Sequence, residues 1–141
     1  MQTFLVLGAI FGFIGVALGA FGSHALRSKL TRERVATFET GVRYQMWHAL
    51  ALFVVVLVRS LRLPPSGGWF AYAPLQQFQP APFQLFPALA GWLFVAGTIA
   101  FSGSLYALAL TGNRRWAVVT PFGGLSLLLG WLALFLAILT M

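Results

Sequence analysis

Few side chains in this sequence could do chemistry, and most of them stand together. Of two histidines and two acids in 141 residues, one of each falls in Phe38-Glu39-Thr40-Gly41-Val42-Arg43-Tyr44-Gln45-Met46-Trp47-His48. With the second histidine, His24, the candidate polar cluster is His24, Glu39, Arg43, Tyr44, Gln45 and His48. Three kinds of chemistry fit these residue types. Two imidazoles from different segments could hold a haem or a metal, although no further ligand pattern accompanies them. Glu39, His24, His48 and Tyr44 could pass protons, since ionisable groups at membrane depth are candidates for function. The plainer reading is a hydrogen-bonded clamp close to water that fixes the first apolar segment to the second.

If residues 38–48 form one helix, successive positions turn by about 100°. Glu39 and Arg43 then make a helical ion pair in its favourable order, acid first. Gly41, Tyr44 and His48 fall on the opposite side, so a partner for His48 must come from another segment. The clamp predicts that His24 lies near Glu39, Tyr44 or His48. Further along, Thr98, Ser102, Ser104, Tyr106, Thr120 and Ser126 could line a polar path, but hydroxyls in membrane helices more often bond a carbonyl or a neighbouring helix. A phosphate loop, a serine elbow, paired carboxylates and metal-spaced ligands are all missing from the sequence. No catalytic residue, metal or cofactor is expected, and the chain is not expected to be an enzyme.

These residues are set in a chain that is 60% hydrophobic and 8% charged, with a mean hydropathy of +0.88. A soluble domain carries about a quarter charged residues. Apolar runs of the ~20 residues needed to cross a bilayer recur along the sequence, so the chain reads as one polytopic membrane domain spanning 1–141. The net charge of +7 lies in short stretches between apolar runs, where membrane topology and anionic lipid account for it better than nucleic acid. There is no cysteine, which removes disulfides, thiolate metal sites and cysteine catalysis.

Four spans are predicted, near 3–21, 42–61, 88–110 and 116–139. No Lys or Arg precedes the first, so it reads as an uncleaved helix rather than a signal peptide. Gly8, Gly12, Gly15, Gly19 and Gly22 recur every three or four residues and form a smooth arc suited to close helix packing. Residues 23–41 are basic, with Thr31 as an N-cap and Val35, Phe38 and Val42 as an apolar stripe, which predicts a short amphipathic helix at the cytoplasmic surface before the second span, bending or continuing into it. Six of the seven prolines fall in 64–87 among aromatic residues and glutamines. That composition predicts an outer loop lying on the headgroups. Gly97, Ala100, Ser104 and Ala107 stripe the third span, and Gly123, Ser126, Gly130, Ala133 and Ala137 the fourth, with Gly112 suited to a helix C-cap between them.

The expected architecture is all-α, a tight antiparallel bundle of four transmembrane helices. Arg27, Lys29, Arg32, Arg34, Arg43, Arg114 and Arg115 fall on one side of it, and Arg59 and Arg62 on the other. The positive-inside rule puts the larger group in the cytoplasm and both termini outside.

Gly19-Ala20-Phe21-Gly22-Ser23-His24-Ala25-Leu26 and the run from Phe38 through Ala51 resemble the small YgdD/YwdK-like family of membrane proteins. The segments from Ser102 to Gly112, from Thr120 to Gly124 and Gly130-Trp131 are similar to its later motifs, so the resemblance covers nearly the whole chain. It implies a four-helix protein of the bacterial plasma membrane and implies no activity. Two features depart from the family pattern: a longer 64–87 loop, and Trp47 where tyrosine is expected. The reading that follows is an accessory or structural protein whose partners are membrane lipids, a further copy of itself, or a larger membrane complex. The alternative is a small oligomeric transporter or channel with a polar gate at the Glu39/His48 end.

Overall fold

The computed structural model describes residues 2–61 and 81–140. Helix α1 (Gln2–Phe21) runs straight into a π-helical turn, Gly22–Leu26. Helices α2 (Arg32–Leu61) and α3 (Ala81–Thr111) follow, and a 3-10 turn, Arg114–Val118, leads into α4 (Val119–Leu139). Each of the four helices is long and apolar enough to cross a membrane. In lipid an isolated segment can satisfy its backbone only as a helix, which explains why the β-branched run 54–58 stays helical.

Two boundaries differ from those expected. The second helix begins at Arg32 rather than near residue 42, because residues 32–41 continue into the span as its first turns instead of bending before it. Thr31 Oγ1 caps that start by accepting from the Arg34 N–H at 3.4 Å. At 30 residues, α2 is about 45 Å long against a hydrocarbon core of about 30 Å. The third helix begins at Ala81 rather than near residue 88, which makes 81–87 helical instead of loop. Pro82 falls in the first turn, where an N–H has no intrahelical partner to lose. Pro87 does cost α3 a hydrogen bond, and its ring is fully buried against the neighbouring helices. The remainder of the proline-rich stretch, with Arg62, lies outside the described residues.

The junction before α4 follows the expected chemistry. Gly112 takes φ +71°, and its N–H donates to Leu108 O at 2.9 Å, which closes α3 in a left-handed cap. Asn113 Oδ1 then accepts from the Arg115 N–H at 3.0 Å, and Pro121 sits in the first turn of α4.

Each helix packs antiparallel on the next. Gly8, Gly15 and Gly19 of α1 and Gly22 of the following turn meet Ala49, Met46, Val42 and Phe38 of α2 in descending order. Tyr44 and His48 of α2 stack beside Phe101 and Phe94 of α3. Gly97 of α3 meets Leu127 of α4, while Phe101 and Phe94 meet Gly123 and Gly130. Among the described residues the bundle is nevertheless not closed, because α1 and α4 do not pack on each other. Instead α1 leans past α2 onto the start of α3, where Phe4 fills the space at Gly91 and stands edge-on to Trp92. The helices form an open row with α2 and α3 in the middle. Half of the most apolar stretch of α2 is buried, against 17% for α1 and 33% for α4.

Candidate functional site

The candidate site is the α2 face turned towards α3, which carries Arg34, Phe38, Gly41, Gln45, His48 and Leu52 at alternating steps of three and four. That spacing keeps all six on one seam. Phe38, Gln45, His48 and Leu52 are buried. Among the described residues the buried polar side chains are Gln45, His48, Thr98, Ser102 and Ser104, all on the two central helices.

The seam can be followed from its basic end inward. Arg34 Nε and Nη2 donate to Ala109 O and Leu110 O, both at 2.6 Å. They satisfy carbonyls that the end of α3 leaves without intrahelical partners. Beside it, Glu39 pairs with Arg27 at 3.3 Å across an exposed surface. This replaces the expected Glu39–Arg43 pair: Arg27, in the turn after α1, reaches back to the acid, and Arg43 is left exposed one turn deeper.

Deeper in, Gln45 Nε2 donates to Phe11 O of α1 at 2.8 Å, and Gln45 Oε1 accepts from the Tyr106 hydroxyl of α3 at 2.9 Å. One amide thus joins three helices. Next comes His48, whose Nδ1 is 2.8 Å from Tyr44 O and whose Nε2 is 3.2 Å from Trp131 Nε1 of α4. An indole N–H can only donate and a carbonyl can only accept. These partners assign His48 as a neutral imidazole with its proton on Nδ1. Phe94 and Trp131 enclose the ring, at 5.4 and 6.2 Å between centroids.

Several expectations are corrected by this arrangement. Gln45 and His48 are buried near the middle of α2, not near its watery end, because the helix starts at Arg32. His24 is exposed in the π-helical turn and has no hydrogen bond among the described residues. The junction between the first two helices is made by Arg27 with Glu39 and by Gln45 with Phe11 O, without His24. Since Phe11 marks the level of Gln45, His24 lies roughly 20 Å along the helix axis from the depth of Gln45, and His48 is almost a further turn away. The two imidazoles therefore form no shared site, and both nitrogens of His48 are already engaged. Among the described residues no three His, Asp or Glu side chains gather into a metal-binding group.

Of the six hydroxyls of the third and fourth spans singled out above, Ser104, Tyr106, Thr120 and Ser126 join helices. Ser104 and Thr120 share a 2.9 Å bond between α3 and α4, and Ser126 donates to Leu93 O at 2.9 Å. Thr98 and Ser102 are buried without a partner among the described residues. Of the glycines singled out for packing, Gly8, Gly15, Gly19, Gly22, Gly97, Gly123 and Gly130 all face a neighbouring helix, while Gly12 faces open space.

On one side of the row, α2 and α4 diverge and leave a groove of about 520 Å³ floored by Phe101. Tyr44, Trp47 and His48 line one wall, and Pro121, Leu125, Leu128 and Trp131 line the other. It is an aromatic cleft opening on the apolar face of the protein.

Sequence reasoning did not find Arg27, Arg34 or Trp131 as partners. The seam itself held a signal for Arg34: counting back from His48 through Gln45, Gly41 and Phe38 by fours and threes arrives at it.

A family model described as a protein of unknown function (DUF423) matches residues 18–124. The UPF0382 membrane protein YwdK of Bacillus subtilis is 36% identical over 137 residues, 97% of this chain and 96% of its own. A UPF0382 membrane protein of Staphylococcus epidermidis is 37% identical over 139 residues, covering 99% and 97% of the two chains. The UPF0382 inner membrane protein YgdD of Escherichia coli K12 is 40% identical over 127 residues, 90% of this chain and 82% of its own. No solved structure matches. With its four apolar helices and relatives along nearly its whole length, the chain belongs to the DUF423 family of UPF0382 membrane proteins.

Proposed function

We propose that this chain is an accessory protein of the bacterial plasma membrane that acts by association, binding bilayer lipid or a larger membrane complex rather than turning over a substrate. It crosses four times with both termini outside, and the first turns of α2 lie in the cytoplasmic interface, where Arg27, Lys29, Arg32, Arg34, Arg114 and Arg115 meet headgroups. The observation that carries the reading is the open row. Most interior polar side chains are used in joining helices. In contrast, α1 and α4 keep broad apolar faces exposed, and the aromatic groove beside α2 stays open. Lipid tails or another membrane protein supply the missing contact there.

The test is extraction into native-lipid discs without detergent, followed by native mass spectrometry. A lipid-bound, oligomeric or partner-bound species is expected, and a lone lipid-free monomer would overturn the proposal. Orientation is tested on the cysteine-free background with Arg32→Cys and Arg115→Cys. Both are expected to react with an impermeant thiol reagent from the cytoplasmic side only. Transport is the competing reading, and solute or proton flux in proteoliposomes that disappears in Glu39→Gln or His48→Ala would establish it instead.

A further inference from the structure

A second cavity, about 360 Å³, opens where the turn after α1 meets the start of α2. Arg27, Arg32 and Glu39 give it a charged rim, and Leu30, Val35 and Ala36 an apolar wall. Two guanidiniums against one carboxylate leave a net positive charge. Only one guanidinium is occupied, because Arg27 holds Glu39 while Arg32 is exposed with no hydrogen bond or ion pair among the described residues. The Arg27–Glu39 pair is itself exposed, with side chains 66% and 41% accessible. Such a pair contributes about 0–1 kcal/mol and is easily exchanged for a better anion.

Arg43 provides an independent observation. Arg32, Ala36, Glu39 and Arg43 follow one another by four, three and four along α2 and share a face. Arg43 lies about 16 Å below Arg32 along the helix, within the stretch able to cross a membrane. It too is exposed and unpaired among the described residues. A cation at that depth on a lipid-facing surface is costly unless its long side chain rises to the interface and meets an anion there. The direction in which it can rise is towards this cavity. A ligand suited to the whole face has a phosphate at the arginine level and an apolar body against Leu30, Val35 and Ala36.

We infer that the Arg27/Arg32/Arg43 face is a binding site for the headgroup of one anionic phospholipid. Its phosphodiester bridges Arg32 and Arg43, and Glu39 disfavours a second negative charge. This site rests on the membrane placement proposed above and adds a lipid class to it. Arg34 is excluded from the site because it does not line the cavity and its Nε and Nη2 are turned to α3 carbonyls.

The experiment is native mass spectrometry of the full chain in mild detergent, titrated with phosphatidylglycerol or with phosphatidylcholine of the same acyl chains. The first adduct is expected to prefer phosphatidylglycerol, and each guanidinium removed should cost about fivefold. Arg32→Gln with Arg43→Gln should therefore erase the preference, while Arg114→Gln with Arg115→Gln, also on the basic side, should leave it intact. Glu39→Gln should raise the affinity a few-fold, a gain that misfolding could not produce. Equal loss in the Arg114/Arg115 pair would indicate diffuse surface charge and overturn the site. Competition by millimolar inorganic phosphate would make it a free-anion site and overturn the lipid. Retention of both lipids without preference rejects this inference but leaves the association reading standing. Retention of neither rejects this inference, and rejects the association reading as well only if the chain is then a lone monomer.

Discussion

The two outer seams of the row are both built from glycine, yet they meet their partners differently. Between α3 and α4 the glycines face backbone and rigid rings. A methyl group at Gly123 would run into the Phe101 backbone nitrogen, and one at Gly130 would lie 2.7 Å from the Phe94 ring. One at Gly97 would lie 2.6 Å from the Leu127 side chain and 3.0 Å from the Leu127 nitrogen behind it. Between α1 and the adjoining turn on one side and α2 on the other, the approach is less close: Gly8 would meet the Ala49 carbonyl oxygen at 3.1 Å and Gly22 the Phe38 ring at 3.0 Å, Gly15 faces the Met46 thioether, which can turn aside, and Val42 lies at an ordinary 3.5 Å from Gly19. In lipid, helices gain little from hydrophobicity and hold together by close contact. Small residues on a helix therefore do not by themselves report how tightly it is held. The nature of the opposing atoms decides that, and here α3–α4 is the rigid pair and α1 the more loosely attached helix.

The largest expected effect tests that difference directly. Gly123→Leu must push two backbones apart and should cost about 3 kcal/mol or more, whereas Gly15→Leu can be absorbed in part by rotation of Met46. Both are measured as midpoints of unfolding in mixed detergent micelles. Equal losses would mean that the α1–α2 seam is as unyielding as its counterpart, and the contrast would fail.

That outcome bears on what the sequence could reveal. Four apolar runs and a glycine arc were readable, because helical period and bilayer thickness act on neighbouring residues. Which glycine meets a backbone was not, since this depends on the rotation and order of the helices. The same limit applies to Gln45 with Phe11 O and to His48 with Trp131, whose partners lie far away in the sequence. The start of α3 was missed for another reason. Proline density argues against helix in general, but Pro82 sits in a first turn, where the usual penalty is reduced, and Pro87 stands buried inside the helix.

The next effect concerns how the loose helix and the rigid pair are tied through α2. Arg34→Met removes two charged hydrogen bonds to the end of α3 and should cost about 1.5–3 kcal/mol. The loss should show as faster hydrogen exchange at residues 108–112, while α4 is unaffected.

Gln45→Leu comes third. It breaks the links to Phe11 O and Tyr106 together, and interhelical hydrogen bonds in membranes are worth about 0.6–1.7 kcal/mol. If α1 is the loosely held helix, proteolysis or exchange should increase along α1 first. A uniform loss over all four helices would place Gln45 in a single cooperative core and blur the distinction between seams.

Glu39→Gln follows, with a stability change of about 0–1 kcal/mol, because its pair with Arg27 is exposed to water and ions. The change should shrink further as salt rises, since screening acts most on exposed pairs. A loss that persists at high salt would mean the pair holds the turn between α1 and α2 by geometry rather than by charge.

The smallest expected effect falls at Gly12, in the same glycine arc as Gly8 and Gly15 but with nothing within 4 Å of an added methyl group. Gly12→Leu should leave the unfolding midpoint within about 0.5 kcal/mol of the parent, because the new side chain enters lipid rather than a neighbouring helix. Placed beside Gly15→Leu, it isolates the opposing atoms as the only variable, since helix, residue type and added volume are the same. A large loss at Gly12 would require an object against that face which the described residues do not supply. Repeating the measurement over a range of protein-to-detergent ratios would then identify it. A penalty that fades on dilution belongs to a contact between protein molecules, and one that does not belongs to α1 itself.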